Sequence, residues 1–515
     1  MKRRGVTRTI RNDEYGHASA ATPTGLNATT PMSMAERVRR LPPRLILLVS
    51  FGAISVINYG FSLAMGWLLT PGDFGLLAFV QSIFLLGGLI LQSGIAWTLS
   101  RSIVRSDLDD RNALIRGSLL ANLAVSLAMT LALVVLFVTG PLHPGFESWG
   151  MLAIAVVALN FVAVVTIVRG AAQGIENFAV MAGVQVIEVA AKAGSGILLV
   201  LLGFGVLGAV FGLVIGGIVA AAAGSVYLMR HLQMRLLGPT VFPSLKLTAP
   251  MFGALLGLAL LLNADLLAVK LLLLNDRAAT GYYQSALVLA NLPYFLASSA
   301  LVPILFTHLS RFETLVDTRE SVGETIATAL IFIVPLEFVL FGAPVFILTS
   351  VFPSSYAPGA IALRFLAIGN AFLIIGAILA AAFQAVALAR IPARAFLMVT
   401  FVEALVLGYT VPHFGITGAA ATFATASVAQ AMILMSVYIR STGIETLQVG
   451  LRWVLRYGVA VGIAFSIGIA LSTSVPLLLA VAIALATYAI GVIVLKLVPP
   501  AYSPQRWIQY MRRTT

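Results

Sequence analysis

Long, continuously apolar runs alternate with short polar segments along most of the chain. From Leu45 onward these runs reach the roughly 20 residues that a helix needs to cross a bilayer, and they do not alternate with period two as barrel strands do. The pattern predicts an all-α polytopic membrane protein. We place fourteen transmembrane spans, numbered 1 to 14, at 45–69, 74–99, 117–139, 150–168, 179–202, 206–229, 248–274, 281–306, 325–349, 359–388, 395–411, 416–439, 457–472 and 476–495.

Short turns rich in Gly and Pro separate several neighbouring spans. They are Thr70-Pro71-Gly72-Asp73, Gly203-Phe204-Gly205 and Val411-Pro412-His413-Phe414-Gly415. Gly and Pro stand there because the chain must reverse at once. The last two spans lie in one apolar run that only residues 472–476 interrupt, so a count of twelve remains an alternative.

The composition agrees with a membrane protein. Of the 515 residues, 60% are apolar and 10% charged, and the mean hydropathy is +1.01. Soluble chains carry about 25% charged residues, so a soluble enzyme, a nucleic-acid-binding domain and a disordered scaffold are excluded. The chain has no cysteine, which excludes disulfides, zinc–thiolate sites and iron–sulfur clusters. We expect no cofactor, no bound metal and no nucleic-acid partner.

The distribution of positive charge predicts the topology. With the N-terminus in the cytoplasm, 28 of the 32 Lys and Arg residues fall in inside segments and one, Arg277, falls outside. Cytoplasmic loops are enriched in Lys and Arg, so this asymmetry supports the orientation. We predict a multi-pass protein of the cytoplasmic (inner) membrane with both termini in the cytoplasm. Residues 1–43 form a disordered basic tail, in which Met34–Arg44 is expected to lie as a short helix on the anionic inner leaflet.

Two parts of the chain resemble each other. Residues 169–188 align with 384–403 without a gap, and 205–209 align with 415–419. An offset of six spans keeps both copies in one orientation, which predicts two pseudo-symmetric six-helix lobes, 44–247 and 248–440. Residues 441–515 then add two extra C-terminal helices and a cytoplasmic tail. The alignment also predicts that Glu188 and Glu403 lie at equivalent positions.

Several motifs carry a family resemblance. They are Trp67-Leu68-Leu69-Thr70-Pro71-Gly72-Asp73-Phe74-Gly75-Leu76, Arg169-Gly170 with Gln173-Gly174, Gly205-Val206-Leu207-Gly208-Ala209, and Asn263-Ala264-Asp265 with Tyr282-Tyr283. From about residue 45 to its end, the chain resembles the Wzx-like polysaccharide flippases of the multidrug/oligosaccharidyl-lipid/polysaccharide exporter (MOP) superfamily. The motifs are structural rather than catalytic. The resemblance implies a polyprenyl-pyrophosphate-linked sugar repeat as cargo, and a polymerase and glycosyltransferases as pathway partners.

Seven ionisable residues fall within the spans: Glu188, Lys192, Asp265, Lys270, Glu337, Arg364 and Glu403. A charge at mid-bilayer costs at least about 2.5–3.5 kcal/mol, so each needs a partner, a cavity or an interface. A pyrophosphate needs cations, so Lys192, Arg364 and Lys270 are the substrate-binding candidates, the first two expected between the lobes. Glu188, Asp265, Glu403 and Asn263 are the candidates for ion coupling or the cavity. Glu188 and Lys192, four residues apart, could instead form a structural pair, Lys270 could snorkel to the interface, and Glu337 has no evident partner.

The function that fits best is the transfer of a lipid-linked oligosaccharide from the inner to the outer leaflet, by alternating access, for polysaccharide biosynthesis and export. Membrane lipids are the other expected partner. No Walker loop and no catalytic constellation occurs, so we expect a transporter rather than an enzyme. The alternatives are an ion-coupled drug or cation exporter of the same superfamily, a lipid II flippase and, less favoured, a membrane-embedded glycosyltransferase or polymerase.

Overall fold

The computed structural model describes residues 43–104, 106–231, 238–242, 249–443, 445–472, 476–495 and 497. Within these ranges every regular element is a helix, so the all-α fold class is confirmed. The predicted helix over Met34–Arg44 and the rest of the basic N-terminal tail lie almost entirely outside the described residues, as does most of the C-terminal tail.

The helices follow the predicted order. The first half contains α1 (Pro43–Leu68), α2 (Pro71–Leu91, which continues through a π-helical turn at Gln92–Ala96 into Trp97–Ile103), α3 (Leu108–Val138), α4 (Trp149–Gly174), α5 (Phe178–Leu199, followed by a π-helical turn at Val200–Phe204) and α6 (Gly205–His231). The second half contains α7 in two pieces (Ala249–Leu261 and Ala264–Leu272), α8 (Ala279–Leu309), α9 (Arg319–Gly342), α10 (Ala360–Ala385) and the segment Arg390–Thr442, which holds α11 (390–414) and α12 (415–442). Two more helices follow, α13 (Glu445–Ser472) and α14 (Leu477–Val494).

Glycines with positive φ reverse the chain at the predicted turns. Gly205 has φ 55° and ψ −143°, and Gly415 has φ 61° and ψ −145°. The hydroxyls of Thr410 and Thr422, twelve residues apart, are 2.9 Å apart. In a straight helix twelve residues span about 18 Å, so α11 and α12 form a hairpin. The backbone at both glycines lies in a region that other residues rarely enter.

The count of fourteen spans is not confirmed. Among the described residues, nine helices are long and apolar enough to cross a membrane, or ten if the two pieces of α7 form one span bent by 46°. Two of the nine are 53-residue runs, Phe178–Arg230 and Arg390–Thr442, that the glycine turns fold into hairpins. The apolar stretches within α13 and α14, Leu455–Gly468 and Leu479–Val494, are shorter. A helix nevertheless overlaps each predicted span.

Helices α4 and α10 have the same length and the same C-terminal structure. Each contains 26 residues. The left-handed residue Glu176 (φ 58°) follows α4, and Ala387 (φ 62°) follows α10. At both ends the left-handed residue donates its amide to the carbonyl three residues back, and the next amide donates to the carbonyl five residues back. This is the hydrogen-bond pattern of a Schellman cap.

The matched caps correct the alignment of the two halves. Glu176 and Ala387 are 211 residues apart, whereas the sequence alignment of 169–188 with 384–403 has a spacing of 215. The difference of four residues is about one helical turn. Because apolar residues of a helix recur every three or four positions, a slip of one turn preserves the apolar pattern and escapes notice. With the corrected spacing, Glu403 corresponds to Lys192 and not to Glu188.

The glycine turns support the same correction. Gly205 and Gly415 adopt nearly identical backbone angles at a spacing of 210 residues. The first hairpin contains the π-helical turn Val200–Phe204 just before its glycine. A π-helical turn accommodates one additional residue, which accounts for the change from 211 to 210.

Helices α2 and α8 touch each other at their N-terminal ends. A Cβ atom built on Gly75 would lie 2.6 Å from the Gly281 amide nitrogen, and one built on Gly281 would clash with the carbonyl of Pro71. Only glycine allows the two backbones to approach so closely. This contact joins the two halves at the end of the molecule where the charge distribution places the outside.

Candidate functional site

The first half holds a partly buried cation whose hydrogen-bond partner is neutral. Lys192 lies on α5, and its Nζ donates to Asn58 Oδ1 of α1 at 2.5 Å. The ammonium also lies 5.5 Å from the centre of the Phe61 ring, a cation–π distance. Neither partner neutralises the charge. The structure therefore leaves Lys192 suited to an anionic ligand.

Glu188, one turn before Lys192, pairs with a different cation. Its Oε2 lies 3.7 Å from Nη1 of Arg169, a residue within α4 and not in the loop where the sequence placed it. Glu188 Oε2 and Arg169 Nε have no hydrogen-bond partner among the described residues. The expected Glu188–Lys192 pair is thus replaced by an Arg169–Glu188 pair. Two cations surround one carboxylate, so this group carries net positive charge.

The second half buries two carboxylic acids at the break in α7. Asp265 is fully buried and accepts hydrogen bonds from the Tyr283 hydroxyl of α8 at 2.6 Å and from the Leu266 amide at 2.7 Å. Glu403 of α11 is 2% exposed, and neither of its carboxylate oxygens has a partner among the described residues. The two acids lie close enough for their charges to interact. The arrangement can hold protons or a small cation.

Asn263 supports this break rather than joining the acids. Asn263 occupies the N-cap position of the second piece of α7, and its Nδ2 donates a hydrogen bond to the Ala259 carbonyl of the first piece at 2.8 Å. Glu337, on α9, is 4% exposed with both oxygens unpartnered in the described part of the chain. Beside it, Pro335 leaves the Ile331 carbonyl without its helical donor, and the Tyr488 hydroxyl of α14 donates to that carbonyl at 2.8 Å. The carbonyl that Pro335 leaves free therefore serves as an attachment point for α14.

The three candidate cations occupy three separate environments. Arg364 is exposed near the start of α10, between the exposed Ile361 and Ile368, and its guanidinium lies 5.9 Å from the centre of the Phe341 ring of α9. Lys270 is buried rather than snorkelling, and it pairs with a carboxylate from the first half. Neither residue joins Lys192.

Four charged residues meet where the α3–α4 and α7–α8 loops come together, and we name Asp73, Glu147, Lys270 and Arg277 the outer ion cluster. Lys270 Nζ lies 2.5 Å from Glu147 Oε1. Arg277 Nη2 lies 2.9 Å from Glu147 Oε2 and 3.1 Å from Asp73 Oδ1. The carboxylates belong to the first half and the cations to the second. The outer ion cluster thus ties the two halves together beside the Gly75–Gly281 contact.

The charges of the outer ion cluster stabilise one another. Partial burial raises the pKa of the Glu147 carboxyl, but hydrogen bonds from Lys270 and Arg277 outweigh it, so the pKa lies below the ordinary 4.5. The hydrogen bond to Glu147 raises the pKa of the Arg277 guanidinium. Asp73, Glu147 and Arg277 lie outside the predicted spans, so the rarity of charge within a membrane gave no reason to single them out. The sequence feature that could have indicated this cluster is Arg277, the one cation predicted to lie in an outside segment.

No group of three His, Cys, Asp or Glu residues that could hold a metal ion occurs in the described ranges. A family profile described as "Polysaccharide biosynthesis protein" matches residues 64–361, more than half of the chain. The chain belongs to this polysaccharide biosynthesis family. A comparison with curated proteins finds no significant match.

Solved structures show which fold this family member has. It is similar to "Lipid II flippase MurJ, inward closed conformation", with a TM-score of 0.70 and 13% identity over 87% of this chain and 97% of that one. It is also similar to an inward-facing multidrug resistance MATE family transporter of the MOP superfamily, with a TM-score of 0.54 and 16% identity over 76% of this chain and 96% of that one. The family match and the fold agree with the resemblance to Wzx-like flippases: the protein is a multi-pass membrane protein of a polysaccharide biosynthesis family, and its fold is that of the lipid II flippase and the MATE transporter.

Proposed function

We propose that this protein is a flippase of the MOP superfamily that moves a polyprenyl-pyrophosphate-linked oligosaccharide from the inner to the outer leaflet of the cytoplasmic membrane. The observation that carries the proposal is the net positive group at Lys192, Arg169 and Glu188, in which the Lys192 ammonium has only a neutral hydrogen-bond partner. A pyrophosphate taken out of water needs fixed cations. Drugs that are themselves cations would be repelled by this group.

The mechanism that we propose is alternating access between two lobes, 44–247 and 248–440. The sugar head is too polar to cross lipid unaided, so a cleft between the lobes shields it while the polyprenyl tail stays in the bilayer. Rocking of the lobes then exposes the cleft to each side in turn. Helices α13 and α14 accompany the second lobe, to which α14 is attached through Tyr488.

The buried acids of the second half are proposed to couple transport to a cation. Asp265 and Glu403 lie near each other, and the oxygens of Glu403 lack hydrogen-bond donors. A proton or a monovalent cation would satisfy them. These acids also favour the second candidate function, an ion-coupled drug or cation exporter, in which Lys192 would have only a structural role.

The central test is the replacement of Lys192 in cells that depend on this protein for glycan export. Lys192→Gln should abolish export while the protein stays in the membrane, and Lys192→Arg should retain part of it because the charge remains. The matched control is Arg440→Gln, which removes an exposed positive charge at the end of α12 and should leave export unchanged.

A double variant separates the two candidate functions. Because Glu188 also pairs with Arg169, the reference for this test is Glu188→Gln alone. If Lys192 only balances Glu188, then Lys192→Gln combined with Glu188→Gln should restore export to the level of Glu188→Gln alone. Export below that level supports an anion-binding role. Restored export would contradict the proposed function, and drug efflux that survives in Lys192→Gln would favour the exporter.

The proposed orientation has its own test. The chain has no cysteine, so single introduced cysteines report cleanly. Cysteines replacing the exposed Ser148 and Ser354 should react with an impermeant thiol reagent added outside intact cells, and one replacing Ser106 should not. Labelling of the Ser106 position from outside would overturn the topology.

A further inference from the structure

Lys270 and Arg277 surround the Glu147 carboxylate as they would surround a bound anion. Glu147 Oε1 accepts from Lys270 Nζ at 2.5 Å and from Arg277 Nε at 3.3 Å, and Oε2 lies 2.9 Å from Arg277 Nη2. This is the two-oxygen recognition that a guanidinium and an ammonium give to carboxylates and phosphates. The two oxygens of Glu147 therefore stand where two oxygens of a phosphate group would fit.

The cations and the carboxylate are attached to different halves. Lys270 belongs to α7 and Arg277 to the loop that precedes α8. Glu147 follows the short helix His143–Phe146, whose fully buried Phe146 packs edge-on against Phe79 of α2, with ring centres 5.3 Å apart. When the halves separate at this end, Glu147 therefore moves with the first half and leaves both cations behind.

The backbone of Glu147 is held in an uncommon conformation. Its φ of 60° is left-handed, which non-glycine residues rarely adopt, and its side chain is 28% exposed while that of Lys270 is 4% exposed. A nearly buried ammonium needs a counterion, and Glu147 supplies it only while the halves are closed here. Asp73, the other carboxylate of the outer ion cluster, contacts Arg277 through Nη2.

We propose that Lys270 and Arg277 form a phosphate-binding exit site, and that Glu147 occupies this site whenever the outer side is closed. The cargo's pyrophosphate takes the place of Glu147 as the outer side opens, and Glu147 expels it when the halves close again. This inference rests on the proposed function only for the identity of the anion. The site itself follows from the geometry of Glu147 and its two cations.

The experiment measures binding of inorganic pyrophosphate to the full-length protein in lipid nanodiscs by isothermal titration calorimetry. Glu147→Ala removes the internal carboxylate and leaves space beside both cations, so pyrophosphate should bind at least about tenfold more tightly than to the unaltered protein, as expected if the free site is at most a tenth populated. Adding Lys270→Gln to Glu147→Ala should remove this gain. Because lipid-linked glycan is absent, the result does not depend on whether transport occurs.

Glu176→Ala is the matched control. Glu176 has the same side chain and a left-handed backbone (φ 58°), but it lies between α4 and α5, far along the chain from the outer ion cluster. It should leave pyrophosphate affinity unchanged. Equal affinity in Glu147→Ala and the unaltered protein would overturn the exit site, as would an equal gain in Glu176→Ala. Should Glu147→Ala prove unstable, Glu147→Gln offers the same comparison, because its amide no longer repels an anion.

Discussion

Helices α5 and α11 occupy corresponding places in the two halves and carry opposite charges there. The caps before them match hydrogen bond for hydrogen bond, and the glycine turns after them match in φ and ψ. The backbone framework has thus been kept while Lys192 on one side corresponds to Glu403 on the other. The two halves therefore share a backbone scaffold and differ in the charge that it carries at this position.

The neighbours of Lys192 and Glu403 also suit ligands of opposite charge. Lys192 donates a hydrogen bond to the amide oxygen of Asn58 and faces the Phe61 ring. Neither group carries a negative charge, so this environment suits the binding of an anion. Glu403 lies near Asp265, a second acid, which suits a site that takes up protons or a cation. We infer that the first half holds the cargo's anionic group and the second half the coupling ion.

Reversing the charge of either residue should have the largest effect. Lys192→Glu places a second carboxylate near Glu188, and a buried charge that loses its compensation costs about 3–5 kcal/mol. Glu403→Lys puts a fixed cation beside Asp265, where the coupling ion would bind. We expect at least about a 100-fold loss of glycan export in each, measured against the amount of protein in the membrane. Lys192→Arg and Glu403→Asp are the charge-preserving controls.

The double reversal tests whether the two positions are interchangeable. If each half has its own ligand, Lys192→Glu combined with Glu403→Lys should remain inactive, because the first half then lacks its cation for the cargo and the second half lacks a carboxylate for the coupling ion. Export restored to near the original level would show that only the presence of both charges matters, and the division of tasks would be refuted.

Local rules allowed much of the fold to be predicted from the sequence. Apolar runs gave the position of every helix from α1 to α14, and the glycine turns at Gly203–Gly205 and at Gly415 were predicted because positive φ demands glycine. The count of spans was less secure because α7 is broken and α13 and α14 have short apolar stretches. Those features depend on packing against neighbours, which hydropathy does not report.

The candidate site was predicted only in part, since its contacts join distant positions. Sequence spacing suggested that Glu188 and Lys192 would pair, but Arg169 and Asn58 are the partners that the fold supplies. The buried acids were identified because charges are rare within spans. Their closeness was not, since α7 and α11 are separated by more than a hundred residues.

Replacing the turn glycines should have the next largest effect, and the two replacements should lower stability alike. Gly205→Ala and Gly415→Ala each force a Cβ into backbone angles that cost about 1–3 kcal/mol. Both should lower the thermal unfolding midpoint of the purified protein by similar amounts. Gly408→Ala, on α11 with open space around the new methyl, is the control and should not lower it. A large effect at only one turn would show that the two hairpins are not equivalent.

The outer ion cluster, which joins the halves, should depend on pH with a smaller amplitude. Because the pKa of Glu147 is lowered in the folded protein, its contribution is complete above the ordinary pKa of 4.5 and is lost as the pH falls through the lowered pKa. Glu147 and Arg277 are partly exposed, so we expect about 1 kcal/mol or less. Glu147→Gln should therefore lower the unfolding midpoint at pH 7 and have little effect at a pH well below the lowered pKa. An equal effect at both values would exclude an ionic contribution.

The smallest effect should come from the left-handed cap residues, and it gives a fine test of the equivalence. A left-handed non-glycine residue costs about 1–2 kcal/mol, and glycine relieves this while adding up to about 1 kcal/mol of freedom to the unfolded chain. Glu176→Gly and Ala387→Gly should therefore each raise the unfolding midpoint slightly. The corresponding helical pair Ala171→Gly and Ala382→Gly should lower it, since glycine costs about 1 kcal/mol within a helix. If one cap is stabilised and the other is not, the caps do not share the same strain, and the 211-residue spacing that pairs Lys192 with Glu403 would lose its firmest support.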